Sequence, residues 1–309
     1  MTKHAFFLKL GMLFLLISGL LAMVFCARYS GRNTRYLLLN HLSNSISYNS
    51  NFQNLLDNTQ PKDIDFLIIG SSMSLNNISG ELIADSFKCN AYNLSSWGFR
   101  SDKVIGLFKS VPLKNCRRAL LAFNNIDFGI NVGANYDFQA TNFYANGNSF
   151  DRFISFLKTF NFMEFDEAFQ TRKTSSDRNS KYLALGFDKH GSVLLDTANF
   201  TIDTFRYGSY TDTSGFSIFL KNVQLLKAGL GEKGIRFSLV YLPYRRDLLT
   251  AEREAHNAYV ADRLRLALPD NFIDMHSLEV PRDFYADAAH TFRTGAEFLT
   301  KKIIDSVKR

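Results

Sequence analysis

The run Ile64-Asp65-Phe66-Leu67-Ile68-Ile69 stops abruptly at Gly70 and passes straight into Ser71 and Ser72. A strand that is apolar at nearly every position cannot face water on either side, so it belongs inside a sheet covered on both faces, as parallel sheets are. That requirement organises the remainder. Residues 90–94 and 119–123 supply further strands, 235–241 another, and 272–274 a short one. Helical patterns stand between them at 101–110, 214–230 and 250–268. Ser79 is placed to cap a helix starting near Gly80, and a last helix starts from Gly295. Strands alternating with helices predict a parallel three-layer α/β/α sandwich.

Two stretches depart from this rhythm. Residues 129–210 mix Phe, Tyr, Asn, Asp and Gly irregularly and read as a long central insertion over the sheet. Residues 40–60, rich in Asn and Ser with no evident apolar period, read as a polar linker. Ahead of that linker, residues 10–27 carry no charge and are rich in Leu, Phe, Met and Val. As a helix they would cover roughly 27 Å, close to the hydrocarbon thickness of a bilayer. The expected organisation is a membrane anchor with its flank at 1–39, the linker at 40–60 and one domain at 61–309. A cleaved secretory signal is the alternative, although the small-x-small pattern is poor around Phe25-Cys26-Ala27. Arg28, Arg32 and Arg35 beyond the span oppose a simple positive-inside reading. With no second apolar span, the domain is still expected outside the cytoplasm.

The net charge of +7 suggests at first a nucleic acid or anionic lipid partner. Its distribution argues otherwise. Lys3, Lys9, Arg28, Arg32 and Arg35 all precede the first acidic residue, Asp57, and removing these five from 36 leaves 31 basic against 29 acidic residues. The domain is nearly neutral, which excludes nucleic acid as the expected partner. The three cysteines have no zinc-like spacing, and no metal or cofactor is expected. Cys89 and Cys116 are left either as a disulfide or as two buried thiols.

Chemistry gathers in an open α/β sheet where the strands end at their carboxyl edge. Three clusters fall at such ends: Gly70-Ser71-Ser72-Met73-Ser74, Asn93-Leu94-Ser95-Ser96-Trp97-Gly98 and Ala122-Phe123-Asn124-Asn125. A fourth, Asp287-Ala288-Ala289-His290, stands just ahead of the last helix. A serine hydroxyl needs a base within hydrogen-bond reach, and His290 is the histidine set beside an acid at a turn ahead of a helix. His276, following Asp274, is its nearest rival.

These four blocks resemble the SGNH, or GDSL-like, hydrolases, and in particular their membrane-anchored branch. The resemblance covers residues 63–125 and 235–309. It implies a flavodoxin-like sheet, Ser72 as nucleophile, His290 as base and Asp287 as orienting acid. It also implies an oxyanion hole built from the Ser72 N–H, the Gly98 N–H and the Asn124 amide. Ala122 stands where the third block usually has glycine, and Ser71 replaces the commonest aspartate of the first. The function implied is a serine esterase or O-acyltransferase acting on a cell-envelope polysaccharide or glycolipid, with acetyl as the expected acyl group. A multi-span membrane acyltransferase is an expected companion. The competing class is a non-catalytic envelope module that binds glycan or a partner through Phe138, Phe143, Tyr144 and Phe150.

Overall fold

A computed structural model of the chain describes residues 7, 9–20, 42–128, 135–148, 150–152, 154, 186–196 and 214–308. It divides into two units, Met1–Tyr36 and Leu37–Arg309. In the first, residues 9–20 are helical and Leu10, Phe14, Leu15 and Leu16 are exposed. Among the described residues no helix is long and apolar enough to cross a membrane; the expected span continues over 21–27, outside the described residues.

The second unit is built on five parallel strands: β1 (Phe66–Ile69), β2 (Ala91–Asn93), β3 (Arg118–Phe123), β4 (Arg236–Tyr241) and β5 (Phe272–Asp274). Their order is β2-β1-β3-β4-β5. Its described helices are α1 (Ile46–Asn58), α2 (Ser72–Asn77), α3 (Gly80–Phe87), α4 (Ser101–Ser110), α5 (Phe138–Asn146), α6 (Phe216–Glu232), α7 (Ala251–Ala267) and α8 (Arg293–Val307). The doubly wound sandwich is the architecture the strand pattern predicts.

Strand alternation explains the continuous apolar runs. Leu67 and Ile69 of β1, Leu121 and Phe123 of β3 and Leu239 and Tyr241 of β4 enter one core, with α1, α4, α6 and α7 over it. Phe66, Ile68, Leu120, Ala122 and Val240 enter the other, where Met73, Ile83, Leu299 and Ile303 of α2, α3 and α8 cover them. Neither face of the sheet is left to water, so neither set of alternating positions is polar. The chain leaves β1 toward β2 and then returns to β3 on the opposite side. That reversal opens a crevice at the carboxyl ends of β1 and β3, where Gly70 and Asn124 begin their loops.

The polar-linker reading of 40–60 is overturned. Residues 46–58 form α1, capped by the Ser45 side chain, which accepts the Tyr48 N–H. Tyr48, Phe52 and Leu55 are buried in the core of the second unit. Their spacing of four and three is a helical face, diluted by the Asn and Ser around it. Burying each such side chain contributes about 1.5–3 kcal/mol. That exceeds the cost of Asn and Ser in a helix, up to about 0.7 kcal/mol per residue.

The parts of 129–210 that are described pack into the domain. Asp137 caps α5 by accepting the Gln139 and Ala140 N–H groups at 2.9 Å. Tyr144 is buried and Phe138 packs against the core, while Phe143 and Phe150 stay exposed. Residues 186–196 run along the end of β2 and α2. The Asn93 N–H donates to His190 O at 2.7 Å, and Val193 N–H to Leu75 O at 3.1 Å. A bridge from Leu195 to Phe292 then ties this segment to the start of α8. The rest of the expected insertion lies outside the described residues. Cys89 and Cys116 are free thiols, which closes the disulfide alternative.

Candidate active site

Gly70 ends β1 with φ +148°, and a Cβ there would stand 2.5 Å from Ser74 Oγ and 3.2 Å from Ala122 O. Only glycine lets the chain turn this tightly from strand to helix. Ser71 then caps α2, its Oγ accepting the Met73 N–H at 3.1 Å. Ser72 is thereby left at the first helical position, partly exposed, while its neighbours Ser71 and Met73 are buried.

The residues predicted from the first and last blocks meet there. Ser72 Oγ lies 2.8 Å from His290 Nε2, and His290 Nδ1 lies 2.8 Å from Asp287 Oδ2. Asp287 is fully buried and His290 nearly so. A carboxylate only accepts, so the His290 Nδ1–H is the donor and Nε2 is left to accept from the Ser72 hydroxyl. The second carboxylate oxygen takes the Ala289 N–H at 2.8 Å and the His290 N–H at 2.7 Å. Burial pushes the Asp287 carboxyl up, but the charge and hydrogen bonds of His290, with the Ala289 N–H, outweigh it and hold the group below the ordinary carboxylate range. Asp287 is therefore an anion fixed on three sides. It can orient the ring and stabilise an imidazolium.

Asn77, at the end of α2, clamps both residues flanking His290. Its Nδ2 donates to Ala289 O at 3.0 Å, and its Oδ1 accepts the Thr291 N–H at 2.8 Å and the Thr291 hydroxyl at 3.1 Å. The helix that begins with Ser72 thus ends by holding the histidine loop. Nothing in the local sequence marks Asn77, since its partners lie more than two hundred residues away.

The second block forms a turn, with the Phe99 N–H donating to Ser96 O at 3.1 Å and Gly98 at φ +65° in the third position, which favours glycine. This loop is fastened to the nucleophile loop by the Ser96 N–H, which donates to Gly70 O at 3.0 Å. Helix α1 braces it from the other side. Asn51 Nδ2 donates to Asn93 O and Ser95 O at 2.8 Å, and Ser47 Oγ accepts the Trp97 N–H at 2.9 Å.

In the third block, Asn124 is buried and donates from Nδ2 to Leu242 O at 3.3 Å. An amide nitrogen carries two protons, so this long bond leaves one for another acceptor. The Ser72 N–H belongs to the first turn of α2, where amides have no helical acceptor. Asp127, which the sequence reading passed over, stands three residues beyond Asn124 in the 3-10 turn Asn125–Phe128 and accepts the Asn124 N–H at 3.0 Å. Its place in an Asn-x-x-Asp turn was the available signal.

The rival His276 is held differently. Its Nδ1 bonds Asp274 Oδ1 at 2.6 Å, Asp274 also pairs with Arg265 at 2.7 Å, and the ring stacks on Tyr241. It sits at the end of β5, beside a cavity of about 200 Å³ lined by Tyr244, Asn257 and Leu278. A cavity of about 420 Å³ opens at the opposite, amino edge of the sheet beside Arg118 and Arg236. At the carboxyl end of β1, by contrast, a serine, a histidine and a carboxylate stand in line. No protein-family model matches the chain, and no curated protein matches it.

Proposed function

We propose that the chain is a serine esterase or O-acyltransferase of the SGNH type, with Ser72, His290 and Asp287 as its triad. The observation that carries the reading is the continuous path from Ser72 Oγ through His290 to Asp287, with 2.8 Å at each link. Ser72 Oγ attacks an ester carbonyl carbon as its proton passes to His290 Nε2. The carbonyl oxygen becomes an oxyanion, for which the Ser72 N–H, the Gly98 N–H and the second Asn124 amide proton are the donors. Each such donor lowers the barrier by about 3 kcal/mol in comparable sites. Collapse of the adduct breaks the ester C–O bond, and His290 returns the proton to the leaving alcohol. The acyl-serine then passes to water in hydrolysis or to a sugar hydroxyl in transfer, with His290 again as the base.

The substrate proposed is an O-acylated, chiefly O-acetylated, polysaccharide or glycolipid of a bacterial envelope, with residues 10–27 as the tether and the domain in the periplasm or at the cell surface. The uncharged apolar segment supports the tether, and a multi-span acyltransferase is the proposed companion. Labelling with a fluorophosphonate tests the chemistry: wild type should label and Ser72→Ala should not. A folded wild type that does not label would favour a non-catalytic binding module instead. Loss or gain of envelope O-acetyl groups in a deletion strain tests the substrate class.

A further inference from the structure

His276 takes no part in the relay from Ser72, yet it lines a cavity of about 200 Å³ at the same, carboxyl edge of the sheet. Neighbouring strands lie about 4.8 Å apart, so the ends of β4 and β5, which carry this cavity, stand about 10 and 14 Å from the end of β1. The loop after β4 runs between the two places. On one side it is tied to the Ser72 site: Leu242 O accepts from Asn124 Nδ2 at 3.3 Å, and the Arg245 N–H donates to Ala288 O at 2.9 Å. On the other, Tyr244 and Leu249 form the apolar wall of the cavity together with Leu278.

The polar groups of the cavity are fixed by bonds that leave part of each unused. Asn257 is only 4% exposed. Its Oδ1 accepts from Asn125 Nδ2 and lies 3.1 Å from the Tyr241 hydroxyl, while its Nδ2 has no partner among the described residues. An amide withdrawn from bulk water costs free energy unless both its ends are hydrogen-bonded, so this nitrogen calls for an acceptor in the cavity. His276 gives its Nδ1–H to Asp274 Oδ1 at 2.6 Å, which leaves Nε2 to accept, and its ring is stacked on Tyr241. Glu254 adds a carboxylate with no ion pair among the described residues, whereas Arg246 is matched by Glu279. One donor and two acceptors beside an apolar wall suit an uncharged, hydroxylated ring. An anion would meet Glu254, and a cation would meet the Asn257 Nδ2 protons.

We propose that this cavity is a substrate subsite for a neutral sugar unit, with Asn257 donating to a hydroxyl oxygen and His276 and Glu254 accepting hydroxyl protons. The proposal rests on the reading of Ser72 as the nucleophile of an esterase acting on glycans. It makes the substrate an oligosaccharide or longer chain, acylated on one unit at Ser72 and held by another across the loop after β4.

Hydrolysis of partly O-acetylated xylo-, gluco- and manno-oligosaccharides tests it against p-nitrophenyl acetate, which carries no sugar. The readout is the ratio of kcat/KM on the oligosaccharide to kcat/KM on the small ester, with a melting curve for each variant. Asn257→Asp keeps the acceptor and removes the donor, and it should lower the ratio several-fold, chiefly through KM, as the loss of one neutral hydrogen bond implies. Ser277→Trp changes an exposed residue on the cavity rim, so it leaves the core intact, and it should lower the ratio at least as far by filling the space. Where Asn257→Asp does not melt cooperatively, Ser277→Trp alone decides. A wild-type ratio in Ser277→Trp, or in folded Asn257→Asp, overturns the proposal, as does a wild type that cleaves p-nitrophenyl acetate but none of the oligosaccharides. A wild type that cleaves neither and takes no fluorophosphonate overturns the reading of Ser72 itself, a distinguishable result that removes the subsite with it.

Discussion

Replacing Asp287 by asparagine tests the site at the point where the geometry is most restrictive. Asp287 Oδ1 takes two backbone donors, Ala289 N–H at 2.8 Å and His290 N–H at 2.7 Å, while Oδ2 faces His290 Nδ1 at 2.8 Å. An asparagine has one oxygen to place. Set at the Oδ1 position it keeps both backbone bonds; turned over, it would aim an NH2 group at two N–H groups in a fully buried place. Losing those two bonds costs about 1 kcal/mol each, before the cost of leaving buried donors unpaired. The first orientation therefore prevails, and it puts Nδ2 against His290 Nδ1. The ring then has to carry its proton on Nε2, facing Ser72 Oγ, where a base is needed and a donor is found instead.

Tautomer inversion of this kind lowers turnover by about 10⁴-fold, or roughly 5 kcal/mol of transition-state stabilisation. Initial rates on p-nitrophenyl acetate, with a melting curve for each variant, measure it. Asp283→Asn is the control: Asp283 is exposed on the 3-10 turn Arg282–Phe284 and should be silent. Asp287→Asn within tenfold of wild type at equal melting temperature refutes the orientation argument. So does the reverse ranking of the two variants.

Ser72→Ala and His290→Ala should each cut the same turnover by several orders of magnitude, and the double variant should be little worse, as kinetics of a unit require. Removing residues before about 40 should leave a folded, active domain, whereas removing residues through 60 deletes Tyr48, Phe52 and Leu55 from the core, at about 1.5–3 kcal/mol each, and should abolish the cooperative melt. Asp127 has a folded-state value of about 6 against an ordinary 3.8, so its ionisation costs stability above pH 6 and nothing below 3.8. Melting of Asp127→Asn should therefore match wild type in acid and exceed it increasingly as pH rises through that window; a constant offset at every pH contradicts this.

The elements legible in the sequence are those whose cause is local. Five runs became five strands, three of them ending at Gly70, Asn93 and Asn124, Ser79 and Thr250 cap the helices they were placed to start, and Asp287 binds its own neighbours Ala289 and His290. A turn that folds on itself can be read from four letters. Helix α1 was missed because its three buried apolar residues are outnumbered by Asn and Ser, and its stability comes from a core assembled elsewhere in the chain. Asn77 was missed for the related reason that it acts on a loop brought to it by the fold. The expected oxyanion donors Gly98 and Asn124 were legible as loop positions, while the bonds that fasten their loops to Gly70 and Leu242 were not.

Those fastenings share one chemistry. Carbonyl groups in loops beyond the carboxyl ends of the strands have lost their ladder partners and need donors from elsewhere. Buried asparagines supply several: Asn51 to Asn93 O and Ser95 O, Asn77 to Ala289 O and Asn124 to Leu242 O. Lysine or arginine could donate as well, but a fixed cation beside His290 would oppose protonation of the ring, the event on which attack by Ser72 depends. Neutral amides hold the loops rigid without adding such a field. The charge bonded to the histidine is the carboxylate of Asp287, of the sign that favours an imidazolium. Among the asparagines and serines that made residues 40–60 resemble a linker, Asn51 and Ser47 hold the loop after β2 in place through such neutral bonds.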